Sequence, residues 1–208
     1  VEKLIKKGAE AEIWLRRWMG IPAIYKVRRS RKYMIPELDK LLRRQRTIKE
    51  AKMLVEARKS GVFTPTLYFV NLTDSTIIME YVRGRSMRLL LKEGIDKPCF
   101  ELGRALATLH SKGIVHGDPT TSNFILSDGK LYAIDFGLSL HSSDVEDKAV
   151  DIHLVKEILS ADIPERFEEA FKLLLEGYAS VAERDGGDVI KRAKTIELRG
   201  RYARGQWG

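Results

Sequence analysis

Residues 116–126 read HGDPTTSNFIL, and nine positions later comes Asp135-Phe136-Gly137. An aspartate, an asparagine five residues on and then Asp-Phe-Gly form the skeleton of a phosphoryl-transfer site. Asp118 sits in a loop between a helical and a strand pattern, beside Pro119, which restricts the local backbone. A carboxylate placed there can accept a hydrogen bond from an attacking hydroxyl or water. Asn123 offers a neutral oxygen to a cation, and Asp135, at the end of an apolar strand, offers the charged oxygen that Mg²⁺ prefers. Gly137 allows a sharp turn while Phe136 packs inward. Each residue alone reads as an ordinary loop position. Their spacing, with a hairpin between them, carries the functional reading.

The first part of the chain supplies a matching half. In PAIYKVR, Lys26 lies in an alternating strand pattern, suited to pairing nucleotide phosphates. It needs a carboxylate, and Glu50 in RTIKEAKML is the first choice. Glu37 falls in the opening turn of the same helix, where a negative charge is favourable anyway, and Glu56 is the fallback. Gly8-Ala9-Glu10-Ala11-Glu12 follows a short strand, where a loop covering phosphates belongs. With a single glycine and two carboxylates that would repel a triphosphate, it is a weak cradle. Either its backbone N–H groups approach the nucleotide, or Glu10 or Glu12 restrains turnover. In IIMEYVRG the backbone at Glu80 and Val82 is placed to bond an adenine edge, with Met79 behind it.

The 208 residues suffice for two small lobes around one cleft, and 44% are hydrophobic. No stretch approaches the roughly 20 apolar residues of a membrane span, and no apolar leader follows the first residues, so the expected location is the cytoplasm, with no membrane partner. Cys99 is the only cysteine, which excludes an internal disulfide and a cysteine-based metal site. Charged residues reach 32%, while Asn71, Asn123, Gln45 and Gln206 are the only side-chain amides. That composition points to a thermophilic, archaeal source. The charge is uneven. Residues 1–60 hold 18 Lys/Arg against 7 Asp/Glu, residues 61–183 hold 12 against 19, and residues 184–208 hold 7 against 3. Basic character at both ends favours an anionic partner such as RNA or nucleotide phosphate.

Strands are expected within 3–28, broken at Gly8 and at Gly20-Ile21-Pro22. A helix is expected from Pro36 to Lys59, with Leu38, Leu41, Leu42, Ile48, Ala51 and Val55 as its apolar face. TLYFV and TIIMEYV read as strands. A helix follows Pro98 and closes at Gly113. FIL and LYAI flank an Asp128-Gly129 turn, the strongest hairpin signal present. Further helices are expected near 147–160, 164–185 and 188–199. The class is α+β, with a β-rich lobe over 1–82 carrying one long helix and a helical lobe over 83–208 ending in a basic tail.

In order and over nearly the whole chain, Lys26, Glu50, MEYV, HGD…N and DFG resemble the protein kinase superfamily. VDIHLVKEIL at 150–159 resembles its central C-lobe helix, with Asp151 supporting the catalytic loop. Only about ten residues separate DFG from that helix, so no normal peptide-docking segment fits. Gly117 stands where an arginine would read a phosphorylated activation loop, and Thr120 stands where protein kinases of this pattern carry lysine. GAEAEI, YKVRRSRKYMIPELDKLLRRQRTIKEA, HGDPTTSN, IDFGLS and ELRGRYARG resemble the small atypical kinase subunit of the KEOPS (EKC) complex, the p53-related protein kinase family. Pro119, where a leucine is expected, is a small departure.

That resemblance implies a two-lobed kinase-like fold with a truncated C-lobe. It also implies Mg-ATP chemistry, mainly hydrolysis, that supports threonylcarbamoyladenosine modification of tRNA. The implied partners are the threonylcarbamoyl transferase subunit, other KEOPS subunits and tRNA. Asp118, Lys26 and Glu50 become the catalytic set. Asn123 and Asp135 become the Mg²⁺ ligands, and Gly8, Ala9, Glu10, Ala11, Lys26, Met79, Glu80 and Val82 line the nucleotide. Arg199, Arg201 and Arg204 in the tail are expected to contact tRNA or a partner. The alternatives are a serine/threonine kinase with a separate protein substrate, and a subunit that binds nucleotide only for structural purposes.

Overall fold

In the computed structural model, residues 2–31, 34–182 and 186–204 are described, with side chains as far as 196. Strand β1 (Lys3–Lys7), β2 (Ala11–Trp18) and β3 (Ile21–Arg28) lead into helix α1 (Pro36–Lys59), then β4 (Leu67–Asn71) and β5 (Thr76–Glu80). These strands form one antiparallel sheet in the order β1-β2-β3-β5-β4. Met19 and Gly20, both at positive φ, close the two-residue turn between β2 and β3, which suits the right-handed twist of the strands. β3 lies at the centre, so Lys26 is flanked by Ile13 on β2 and Ile77 on β5.

The remainder is mainly helical. β6 (Arg85–Ser86), α2 (Met87–Lys92), α3 (Lys97–Ser111) and β7 (Ile114–Val115) precede the loop that carries Asp118. After it come β8 (Phe124–Ser127), β9 (Lys130–Ala133), β10 (Leu140–His141), α4 (Val145–Asp162), α5 (Phe167–Ala179) and α6 (Gly186–Arg204). The Asp128-Gly129 turn joins β8 to β9 as expected, both residues at positive φ. The helix expected over 164–185 instead begins as a 3-10 turn at Pro164–Arg166 and becomes α5 only from Phe167. The short elements β6, α2, β7 and β10 have no counterpart in the sequence reading. Two to six residues are too few to show a period. No helix among the described residues is long and apolar enough to cross a membrane.

The apolar face expected on α1 is only partly right. Leu38, Leu41 and Ile48 are exposed, while Asp39, Thr47, Glu50, Ala51, Met53, Leu54 and Ala57 are buried. Met53, Leu54 and Ala57 join the core with Ile77 and Met79. Toward its N-terminus the inner face of α1 is polar. Asp39 accepts from the Arg31 backbone N–H at 3.2 Å and from Arg43 Nε at 2.8 Å. Hydrophobic periodicity could not find a face held by charges.

In the helical lobe, Leu102, Leu106 and Leu109 of α3 meet Ile152 and Val155 of α4 and Leu174 of α5, all fully buried. α3 and α5 cross at two glycines. A methyl group on Gly103 would collide with the Leu174 carbonyl oxygen, and one on Gly177 with that of Phe100. The backbones are therefore almost in contact. Gly103→Ala must push the helices apart and should cost about 1–3 kcal/mol by the usual penalty for overpacking. Urea unfolding of the two proteins checks this. An unchanged midpoint would mean that the crossing has slack.

Candidate active site

Successive residues on a strand point to opposite faces, so Lys26 and Arg28 of β3 share one face, the face turned toward α1. Lys26 Nζ lies 2.5 Å from Glu50 Oε1 and 2.8 Å from Asp135 Oδ1. Arg28 Nη2 takes the other oxygen, Glu50 Oε2, also at 2.5 Å. Glu50 is completely buried, and Lys26 and Arg28 nearly so. Of the three glutamates considered for Lys26, Glu50 is the one that meets it. Glu37 is exposed in the first turn of α1. Glu56 lies 2.8 Å from His141 Nε2 on β10.

Burial works against the Lys26 ammonium, but Glu50 and Asp135 outweigh it and raise its pKa above the ordinary lysine value. Burial also pushes the Glu50 carboxyl up, against the pull of the two cations on its oxygens. Asp135 is raised by burial and lowered more strongly by Lys26 and by the Gly137 N–H, which donates to Oδ1 at 2.9 Å. It therefore stays ionised at neutral pH.

The loop around Asp118 is fixed from below by α4. Asp151 accepts the backbone N–H of His116 at 2.7 Å on Oδ2 and that of Gly117 at 2.8 Å on Oδ1. His110 Nε2 also meets Oδ2, at 3.1 Å, and His110 Nδ1 lies 2.8 Å from Tyr178 Oη on α5. The Asp151 carboxylate accepts, so the network places a proton on His110 Nε2 and leaves Nδ1 facing the Tyr178 hydroxyl. His116 packs between the rings of Phe124 and Phe136, and burial lowers its pKa, keeping it neutral. Gly117 has φ +79°, and a Cβ there would stand 2.5 Å from the Leu138 carbonyl oxygen. No side chain fits at that position.

Asn123 Nδ2 donates to the Asp118 carbonyl oxygen at 2.9 Å and to its carboxylate Oδ2 at 3.0 Å. With its amide nitrogen engaged in this way, Asn123 keeps its carbonyl oxygen for a cation. Asp135 and Asn123 thus offer one charged and one neutral oxygen, a donor set suited to Mg²⁺. Among the described residues no cluster of three or more His, Cys, Asp or Glu could hold a metal. Phosphate oxygens and water would have to complete the coordination of an ion at this pair.

The cleft above these groups has a volume of about 370 Å³ and is bordered by Gly8, Ala9, Glu10 and Ala11 together with Lys26, Asp118 and Asp135. The carboxylates expected to repel a triphosphate are both met by arginine. Glu10 Oε1 accepts from Arg31 and from Arg46 at 2.6 Å each. Burial raises the Glu10 pKa, but Arg46 and Arg31 prevail and hold it below the ordinary value. Glu12 pairs with Arg29 at 2.5 Å. Met79 and Val82 are buried at the joint between the lobes. The Glu80 carboxylate is turned to Thr66, whose N–H and hydroxyl donate to it at 2.9 and 2.8 Å. The side chains of Arg199, Arg201 and Arg204 lie outside the described residues.

Two parts of the site escaped the sequence reading. Arg28 carried a signal, since it stands two places after Lys26 on the same face. The His110–Tyr178 pair carried none, because 68 residues separate its members.

The protein kinase domain family matches residues 23–162. The KEOPS complex subunit Bud32 of Pyrococcus abyssi is 41% identical over 99% of this chain and 98% of its own length. A probable bifunctional tRNA threonylcarbamoyladenosine biosynthesis protein of Methanobrevibacter smithii is 42% identical over 97% of this chain, which spans 37% of that relative. Among solved structures, the Rio2 kinase of Chaetomium thermophilum, in a complex described as ADP/Mg²⁺-phosphoaspartate, superposes over 94% of this chain and 70% of its own. Its TM-score is 0.62 and its identity 16%. WaaP in complex with acyl carrier protein gives a TM-score of 0.59 at 15% identity, over 99% of this chain and 89% of its own. At such identities these two structures speak for the fold alone.

The pKa directions at Lys26 and Asp135 predict how their tie responds to pH. Asp135 is depressed when folded, so its stabilisation is present above the ordinary value of 3.8 and is lost as pH falls through the lower, folded-state value. Lys26 is raised, so its stabilisation is present below 10.5 and is lost as pH rises through the higher value. The difference in melting temperature between the wild type and Asp135→Asn should be widest between these limits and should close toward both ends. A difference that stays constant with pH would dissociate the tie from stability.

Proposed function

Because this chain belongs to the Bud32 family of KEOPS subunits, within the protein kinase superfamily, we propose that it binds Mg-ATP and cleaves the γ-phosphate in support of tRNA threonylcarbamoyladenosine formation. The observation that carries the reading is Lys26 held between Glu50 and Asp135 while Asp118, bonded by Asn123, lines the same cleft as Lys26 and Asp135. This reading takes residues 1–82 as one lobe and 83–208 as the other. Both Gly8–Ala11 and the backbone at Glu80 and Val82 then contact the nucleotide.

The residues divide the work. Lys26, fixed by Glu50, orients phosphate oxygens. Asp135 and Asn123 would hold Mg²⁺, which neutralises charge on the phosphates. Asp118, kept in place by Asn123 and by the loop anchored on Asp151, accepts a hydrogen bond from the attacking hydroxyl or water and aligns it. Neutral, buried His116 stiffens the loop and takes no part in proton transfer.

Water as the acceptor is favoured by the residues that follow DFG. Only 138–144 separate Gly137 from α4, and within them Leu140 and His141 are paired to β7. Ser139 is buried, with its hydroxyl donating to the His116 carbonyl at 3.0 Å. Such a segment has little length to spare for a peptide platform. The tRNA, the transferase and the other KEOPS subunits are assigned as partners on the strength of the relatives named above.

The test follows γ-labelled ATP and Mg²⁺ with the purified chain, with and without the transferase and tRNA. Free phosphate that increases when the partner and tRNA are added, and that falls at least about a hundredfold in Asp118→Ala, is the expected result. Label that accumulates on protein and ignores tRNA would replace this reading with a protein kinase.

A further inference from the structure

The guanidinium of Arg28 is more than nine-tenths buried and lines the same cleft as Lys26, Asp118 and Asp135. Its bonds are unequal. Nη2 holds Glu50 closely, whereas Nη1 reaches Glu10 Oε2 only at 3.4 Å, and Nε meets no acceptor among the described residues. Glu10 does not depend on Arg28, since Arg31 and Arg46 both bond its other oxygen at 2.6 Å. A buried guanidinium with five N–H donors is thus underused, in a wall that faces open volume.

Its neighbours point to what it would take. A Cβ on Gly137 would stand 3.2 Å from Asp135 Oδ1 and 3.7 Å from Arg28 Nη2, so the two groups flank the same glycine. The loop that covers this end of the cleft, Gly8-Ala9-Glu10-Ala11, has a single glycine and brings a negative charge. It is a poor cradle by itself, and a cation behind it would make up the deficit. Guanidinium groups suit this role because their paired N–H donors match two phosphate oxygens, which an ammonium cannot do.

We propose that Arg28 is a second phosphate-binding cation of this cleft, which contacts the terminal phosphate of a bound nucleoside triphosphate and leaves Glu10 to do so. This rests on the nucleotide-binding reading above and adds a specificity to it. Lys26 serves triphosphate and diphosphate alike, while Arg28 distinguishes them. When the terminal phosphate is present, Nη1 turns from Glu10 to it while Nη2 stays on Glu50. After its release, Arg28 returns to Glu10.

Equilibrium binding of ADP and of a non-hydrolysable ATP analogue, each with Mg²⁺, tests this on the full chain. Wild type should prefer the analogue. Arg28→Met should weaken the analogue about tenfold and ADP by less than about twofold, since each factor of ten is one modest interaction. Arg28→Lys, which retains a charge beside Glu50 and guards against a folding defect, should lose most of the same preference. Unchanged ADP binding shows in each case that the cleft is intact. Equal losses for both ligands, or no loss for either, would overturn the proposal. A wild-type chain that binds neither nucleotide would instead overturn the reading beneath it.

Discussion

Glu50 lies entirely inside the protein with Lys26 on one carboxylate oxygen and Arg28 on the other. Removing three charges from water is expensive, and their mutual attraction roughly repays that cost without much surplus. The cluster is therefore better understood by what it positions than by the stability it adds. Lys26 and Arg28 belong to the central strand, and Glu50 to the long helix, so the helix can occupy only one place against the sheet. Lys26 also reaches Asp135, which ties that arrangement to the loop following β9. Every group facing the cleft from the sheet side inherits its place from this one carboxylate.

On the helical side Asp151 plays a corresponding part with hydrogen bonds. It gathers two backbone N–H groups of the loop that carries Asp118 and the His110 ring, and His110 passes the connection to Tyr178. The 3-10 turn at Thr121–Asn123 has its own fastening, where the Thr121 hydroxyl donates to Asp162 at 2.6 Å and Arg88 holds the other oxygen of that carboxylate at 3.0 Å. The loop carrying Asp118 is thus fixed from α2, α3, α4 and α5. Buried polar networks that are fully bonded specify a single arrangement better than apolar packing does, and this one lies directly beneath the proposed chemistry.

The parts of this architecture that could be read from the sequence are those whose signals are local. Asp118, Asn123 and Asp135 are fixed by spacing along a short stretch, and the Asp128-Gly129 turn by residue type alone. Lys26 was visible through strand alternation, and Glu50 through its depth within a helix. The misreadings share one physical cause. Leu38, Leu41 and Ile48 have helical spacing yet face outward, because the opposite side of α1 is held by Asp39, which accepts the Arg31 backbone N–H, and by Glu50, which meets Lys26 and Arg28. Glu10 and Glu12 looked hostile to phosphate because the arginines that neutralise them lie 17 to 36 residues away. Partners across such distances are chosen by the fold, and no periodicity records them.

Gly117 bears on how such a protein can change over time. At positive φ, with the Leu138 carbonyl against the place where a Cβ would be, this position admits no side chain unless the segment after Gly137 moves as a unit. That segment is stitched by the Ser139 hydroxyl and by the short pairing of β7 with β10, so its displacement requires several simultaneous changes. A single substitution to arginine would damage the loop before it could serve as a receptor for a phosphorylated residue. The backbone works as a ratchet: a lineage that has adopted this packing has no short path back to switching by activation-segment phosphorylation, and new control over the cleft must be acquired through other surfaces.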